Sequence, residues 1–240
     1  MLTRRANRRS VQHREMHRSE RAGWLRAAVL GSDDAIVSTA SITIGVAASA
    51  ASKAAVLVAG IAGLVAGAMS MAVGEYVSVS SQRDSERADI EREKRELADE
   101  PQAELNELAM IYVKRGLEKE LAMKVAVQLS ARDRLTAHMR DELGLAPASL
   151  ARPMQAAWIS AVSFASFALV PIAALLVAPA ALRIPAIAAM SLVSLAALGG
   201  FGGHLGGAPL GRAALRVTLG GALAMAVTAA IGRLFGVALG

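Results

Sequence analysis

The sequence predicts an all-α, polytopic membrane protein with five transmembrane helices and a cytoplasmic insert of three to four helices between the second and the third. Of its 240 residues, 54% are hydrophobic and only 19% are charged. The charges are concentrated, because residues 1–26 contain eight arginines and residues 82–152 contain 13 basic and 15 acidic residues. The rest of the chain has almost no charge, a segregation typical of lipid-embedded helices separated by aqueous segments.

Five apolar stretches are long enough to cross a bilayer, because a hydrocarbon core of about 30 Å requires about 20 helical residues. They cover residues 30–52, 54–80, 154–178, 185–207 and 213–236. These spans divide the chain into four parts: a basic N-terminal arm at 1–29, transmembrane helices 1 and 2 at 30–80, a helical bundle at 81–152, and transmembrane helices 3 to 5 at 153–240.

Lysine and arginine set the predicted orientation, since short cytoplasmic segments carry an excess of both. The arm and the insert hold most of them, whereas the turns after the first and third spans hold only Lys53 and Arg183. We therefore expect the N-terminus and the insert in the cytoplasm and, after five spans, the C-terminus outside. This location explains the net charge of +6 better than a nucleic-acid partner does, because aromatic residues, at 3%, are too scarce for base stacking.

The insert is predicted to be helical throughout. Residues 81–99 form one helix that can continue the second span, and Pro101 fits the first turn of the next helix, which Gly116 ends. Two further helical segments follow, at residues 118–130 and 131–143. Apolar residues recur every three to four positions in these segments, so the helices have faces that can pack into a small bundle.

Polar side chains inside the first two spans are informative because they are costly in a membrane. Asp34 and Ser38 share one face of the first helix, and Met71 and Glu75 lie on a comparable stripe of the second. Carboxylate oxygens and a thioether would suit a divalent transition-metal ion that is partly stripped of water. An alternative is that small residues such as Gly63 serve close helix packing, and that the two carboxylates face interfacial water.

The insert carries a second pattern of possible ligands. Carboxylates and one imidazole recur at three- and four-residue spacing, which places pairs of them on the same helical face, within reach of a single ion. A run of charges is also typical of a solvated face with ordinary surface ion pairs, and both interpretations stay open at this point. The candidates are Asp89, Glu93, Glu96, Glu100, Glu104, Glu107, His138 and Glu142.

Enzymatic motifs are missing from the sequence. It has no glycine-rich phosphate loop, no His-Glu-x-x-His pattern and no nucleophile–base–acid set. It also has no cysteine, which excludes disulfides and thiolate metal sites. The sequence therefore indicates a protein that is not an enzyme and has no organic cofactor.

Three stretches resemble the vacuolar iron transporter family, which includes plant and yeast vacuolar iron importers, nodulin-like proteins and bacterial homologues. They are LGSDDAIVST at residues 30–39, AGLVAGAMSMAVGEYVSV at 62–79 and RDELG at 140–144. The resemblance covers nearly the whole chain, and we place the sequence in the bacterial branch. It implies a homodimer with an ion path at the dimer interface, proton coupling, and a cytoplasmic metal-binding bundle that feeds the path.

The resemblance also implies roles for individual residues. Asp34 and Met71 match the family's pathway ligands, and Glu75 belongs to its Gly-Glu-Tyr signature. Asp33 replaces a common asparagine, so which of the two aspartates works stays open. His138 stands where plant relatives have methionine. The bundle ligands implied by the resemblance are Glu93, Glu96, Glu104, Glu107 and Glu142.

These observations lead to the hypothesis of a proton-coupled transporter that exports iron(II) or manganese(II) across the inner, plasma membrane of a bacterium. Zinc(II) and cobalt(II) are further candidate ions, because imidazole binds several transition metals. The expected partners are the lipid bilayer, divalent metal ions, protons and a second copy of the chain. A membrane-anchored metal-binding scaffold or sensor without transport is the alternative.

Overall fold

The computed structural model describes residues 22–145 and 150–239, and every regular element in these ranges is a helix. Most of the arm predicted at 1–29 lies outside the described residues. A 3₁₀ turn, Ala180–Leu182, joins two of the helices. The helices are α1 (Ala22–Ala48), α2 (Lys53–Asp99), α3 (Pro101–Lys114), α4 (Lys119–Asp141), α5 (Pro153–Val177), α6 (Arg183–Gly206) and α7 (Leu210–Leu239).

Five of these helices, α1, α2, α5, α6 and α7, are long and apolar enough to cross a membrane. The all-α class and the five spans are therefore confirmed. The first span ends at Ala48 and not at residue 52, because Ala50 adopts a positive φ of 62° and turns the chain. Ser52 is the N-cap of α2, and its side chain accepts a hydrogen bond from the backbone N–H of Ala55 at 3.2 Å.

The helix α1 lies at the centre of the membrane domain, where it packs against α2, α5, α6 and α7. Half of its apolar segment is buried within the chain, against 11% for α2 and α7. The fully buried Ala35 and Ala40 leave room for neighbouring helices to approach. One core cluster joins all five spans and consists of Ala40, Ile44, Val56, Ala174, Leu175, Ile187 and Met225.

Glycines on α2 permit its close contact with α1 and α5. A Cβ atom added at Gly67 would overlap the ring of Phe164, and one added at Gly63 would lie 2.9 Å from the side chain of Ile42. The close-packing interpretation of these glycines is therefore confirmed. Gly74 differs, since nothing lies within 4 Å of a Cβ added there.

The helix α2 has 47 residues, and at 1.5 Å per residue it is about 70 Å long. Its apolar first half crosses the membrane, and its charged second half continues into the insert without a break. The boundary predicted between residues 80 and 81 therefore falls inside one helix. The second half of α2 packs with α3 and α4 around a small core of Leu108, Ala109, Ala126 and Ala137.

The helices of the insert begin and end where the sequence predicts, with one exception. Pro101 is the first residue of α3, and Gly116 follows that helix with a φ of 102°. The break predicted after residue 130 occurs inside α4 at Asp133, which has φ −160° and ψ 95°. The carboxylate of Asp133 accepts hydrogen bonds from the backbone N–H and the hydroxyl of Thr136, so it caps the helical segment that carries His138.

Candidate metal centre

Four side chains of the bundle converge on one point. Each of the three helices contributes: Glu93 comes from α2, Glu104 from the first turn of α3, His138 from the last turn of α4, and Glu142 directly follows α4. One ligand atom from each residue lies within 4.8 Å of all the others. The described residues contain one such group of histidine and acidic side chains.

The imidazole of His138 lies at the middle of the group. Its Nδ1 atom is 2.9 Å from Glu93 Oε1, 2.9 Å from Glu142 Oε2 and 3.7 Å from Glu104 Oε2. The contact with Glu142 is a hydrogen bond, whereas Glu93 Oε1 has no hydrogen-bond partner among the described residues, despite the short distance.

Three of the four residues are buried, and charged carboxylates are unfavourable in a buried place. Glu93, Glu104 and His138 are 1%, 8% and 0% exposed. Three carboxylates around one imidazole bring up to three negative charges together, and no lysine or arginine in the described residues forms an ion pair with them. Buried charges without compensation are strongly unfavourable, and a bound divalent cation would supply the compensation.

The same environment perturbs the protonation of two carboxyl groups, both outside the membrane-spanning segments. Burial, followed by the charge of Glu142, raises the pKa of Glu93 to about 7, against the opposing effect of His138. Burial, followed by the charge of Glu107, also raises the pKa of Glu104. In the metal-free group Glu93 therefore holds a proton near neutral pH that an arriving cation must displace.

The residues fit a single first-row metal ion. A metal that binds oxygen and nitrogen at 2.0–2.3 Å holds opposite ligands no more than about 4.5 Å apart, so side-chain shifts of a few tenths of an ångström suffice. Three carboxylates with one imidazole favour iron(II), manganese(II) or zinc(II) over copper(I), which prefers sulfur ligands. The fourth ligand, the imidazole nitrogen of His138, is softer than a carboxylate oxygen, so the set differs from the all-oxygen cage that calcium prefers.

Two of the predicted bundle ligands lie outside this group. Glu96 and Glu107 are exposed and are not among the four converging residues. They are still close enough for the charge of Glu96 to raise the pKa of both Glu93 and Glu104, and for that of Glu107 to raise the pKa of Glu104. The two residues therefore form an acidic rim beside the buried group.

Asp141 fixes the end of α4 beside α3, and the sequence prediction missed it. Its Oδ2 atom accepts hydrogen bonds from Tyr112 at 2.7 Å and Arg140 at 2.6 Å, and its Oδ1 atom accepts one from Arg115 at 2.7 Å. Burial alone would raise the pKa of Asp141, but these three donors hold it well below its usual range. The network positions the neighbouring Glu142. In the sequence, the aspartate of the RDELG stretch was the residue that could have indicated this network.

The residues predicted inside the membrane lie on α1 and α2. Asp34 is exposed on the surface of this chain, Ser38 is partly exposed, and the Ser38 hydroxyl donates to the backbone carbonyl of Asp34 at 2.6 Å. Met71 packs against the cluster that contains Ala35, the residue after Asp34. Glu75 lies one turn further along α2 and is half-buried. None of the four joins the metal group of the bundle.

Comparison with known proteins identifies the family of the chain. The family model described as the VIT family matches residues 25–233. A vacuolar iron transporter of Acanthamoeba castellanii is 47% identical over 221 residues, which cover 91% of this chain and 82% of that protein. Vacuolar iron transporter homolog 5 of Oryza sativa subsp. japonica is 40% identical over 222 residues, covering 92% and 85%. The chain, a multi-pass membrane protein, therefore belongs to the vacuolar iron transporter (VIT) family.

Proposed function

We propose that this protein transports iron(II) or manganese(II) out of the cytoplasm in exchange for protons, and that it is not an enzyme. The group of Glu93, Glu104, His138 and Glu142, of which the first three are buried, carries the proposal. It is built partly on α2, the helix that also crosses the membrane and carries Met71. Relatives that are named vacuolar iron transporters support iron as the ion.

We infer that the ion path runs beside Asp34, Ser38, Met71 and Glu75. The carboxylate of Asp34 lies on an exposed face of α1, so a single chain provides only one side of a path there. A second copy, packed against this face, would close the path and shield the carboxylate from lipid. This arrangement makes the functional unit a homodimer with the path at its interface.

The bundle is proposed to collect metal on the cytoplasmic side. The buried group would bind one ion, and the exposed rim of Glu96 and Glu107 would hold further ions before they enter. The arginines of the N-terminal segment and the insert favour a cytoplasmic location for both. In a bacterium, removal of metal from the cytoplasm means export across the plasma membrane.

The experiment that tests the proposal is metal flux in proteoliposomes. Initial rates are measured for iron(II), manganese(II), cobalt(II) and zinc(II), while a pH-sensitive dye in the lumen reports proton movement. Asp34→Ala should reduce flux to background, because it removes a charge that offsets desolvation of the ion. Met71→Ala should weaken transport while leaving some flux, because it removes only the soft ligand.

The neighbouring carboxylate provides a matched control. Asp33→Ala removes the same charge one position along α1 and should leave flux in place if Asp34 is the working residue. Loss of flux in Asp33→Ala alone would move the path to another face of α1. Metal binding without flux in the unmodified protein would favour the membrane-anchored scaffold or sensor and contradict the transport proposal.

A further inference from the structure

A cavity of about 770 Å³ lies where the bundle meets the membrane domain. The second half of α2 forms one wall, and the segment that leads into α5 forms the other. The apolar part of α2 ends near Val79, and α5 enters its apolar segment after Pro153. The cavity thus lies where the apolar half of α2 gives way to its charged half, the level expected for lipid headgroups.

Three arginines line this cavity, namely Arg83, Arg87 and Arg152. All three are exposed, and none forms an ion pair within the ranges 22–145 and 150–239. One of the two acidic residues in the lining, Glu86, is buried and already engaged, because its oxygens accept from Gln82 at 2.8 Å and from the backbone N–H of Ala151 at 2.9 Å. The other acidic residue, Asp84, is exposed and forms no ion pair with the three arginines in the described ranges, so they remain available to an anion.

Part of the remaining lining is apolar, beside the polar residues Ser80, Asp84 and Gln155. Tyr76 and Ile90 on α2, and Pro153 and Met154 on α5, provide the apolar part. Met154 is 72% exposed, and Trp158, one turn further along α5, is 71% exposed. Tryptophan is enriched at the interfacial level of membranes. The N-terminus of α5, a 25-residue helix, adds a partial positive charge at the same place.

We propose that this cavity binds the headgroup of an anionic phospholipid. The arginines would contact the phosphate, since guanidinium matches phosphate oxygens in pairs. The apolar wall would contact the glycerol and the start of the acyl chains. A soluble phosphate compound would use the arginines alone and leave the apolar wall exposed, so the combination favours a lipid.

The test uses the full chain in detergent with phosphatidylglycerol added. Binding is counted by native mass spectrometry, and the shift in thermal unfolding is measured in parallel. Each arginine near an anionic surface is worth about fivefold in affinity. Replacing two of them, Arg83→Gln with Arg87→Gln, should therefore weaken binding about 25-fold. Glutamine is a good helix former, so α2 should keep its structure.

The matched control is Arg95→Gln with Arg132→Gln, which changes the net charge equally on exposed parts of the bundle. Arg95 lies about 18 Å beyond Arg83 along α2, more than a Debye length away. Phosphatidylcholine should bind weakly to every variant. Equal lipid binding in all variants would overturn the proposal. An equal thermal shift with glycerol 3-phosphate would also overturn it, because the site would then take a soluble phosphate.

Discussion

Replacing Glu93 by glutamine removes one charge from the metal group and keeps the size of the side chain. In the folded protein the pKa of Glu93 is about 7, against its ordinary value of 4.5. A difference of that size corresponds to about 3 kcal/mol. The Glu142 side chain is 25% exposed and opens the group to solvent, whose screening reduces the figure to about 2 kcal/mol.

The sign of the effect follows from the direction of the shift. The folded protein holds the Glu93 proton more tightly than the unfolded chain does, so the stabilisation is fully present below pH 4.5 and is lost as the pH rises through 7. In metal-free protein, the free energy of local opening of the bundle should therefore fall by about 2 kcal/mol between pH 5 and pH 8. Glu93→Gln stays neutral, so it should lack this fall.

Hydrogen exchange of the amides in α3 and α4 measures this free energy in the full-length protein, once intrinsic rates are corrected for pH. Metal at 100 times its dissociation constant should add about 2.7 kcal/mol to the unmodified protein at pH 8. It should add almost nothing to Glu93→Gln, which has lost an anionic ligand. Glu120→Gln, on the exposed surface of α4, is the control and should behave like the unmodified protein. An equal fall with pH in Glu93→Gln would refute the reasoning.

Three further predictions follow from the membrane domain. Gly67→Ala should destabilise the protein by about 1–3 kcal/mol in thermal unfolding, because its Cβ overlaps Phe164. Gly74→Ala, in open space, should be neutral or stabilising, and equal effects of the two would contradict the packing argument. The chain has no cysteine, so Ile42→Cys, on the exposed face of α1, should cross-link two copies through a single new thiol. Leu223→Cys on α7 should not cross-link, and the reverse result would place the interface elsewhere. A C-terminal reporter that is active only in the cytoplasm should be silent, and a strong signal would contradict the orientation.

The fold could be predicted from the sequence because its signals are local. Charge-free stretches of sufficient length indicate membrane helices, and Pro101 and Gly116 mark helix ends through their own backbone preferences. The end of α1 was harder to predict, since Ala50 turns the chain there without glycine or proline. The break in α4 was displaced to Asp133, where the signal was a capping aspartate three residues before Thr136.

The metal group could be predicted only in part, because its geometry depends on tertiary contacts. Glu93 and Glu96 are three residues apart and about 60° from each other around α2. The position of α3 and α4 decides which of them is enclosed, and Glu93 is buried while Glu96 is exposed. Spacing within one helix carries no information about that choice. The support from Asp141 was missed for the same reason, since its partners Tyr112 and Arg115 come from another helix.

The uninterrupted course of α2 restricts how the chain can change in length. Each inserted or deleted residue turns everything beyond it by 100° around the helix axis. A single deletion between Val79 and Glu93 would therefore rotate the whole bundle, with its metal group, relative to the membrane domain, even though no ligand had been altered. An insertion of seven residues, close to two full turns, would nearly restore the angle, but it would move the bundle about 10 Å further from the membrane. The orientation and the distance of the metal group relative to the bilayer are thus set by the number of residues in one helix, including residues that never touch a metal.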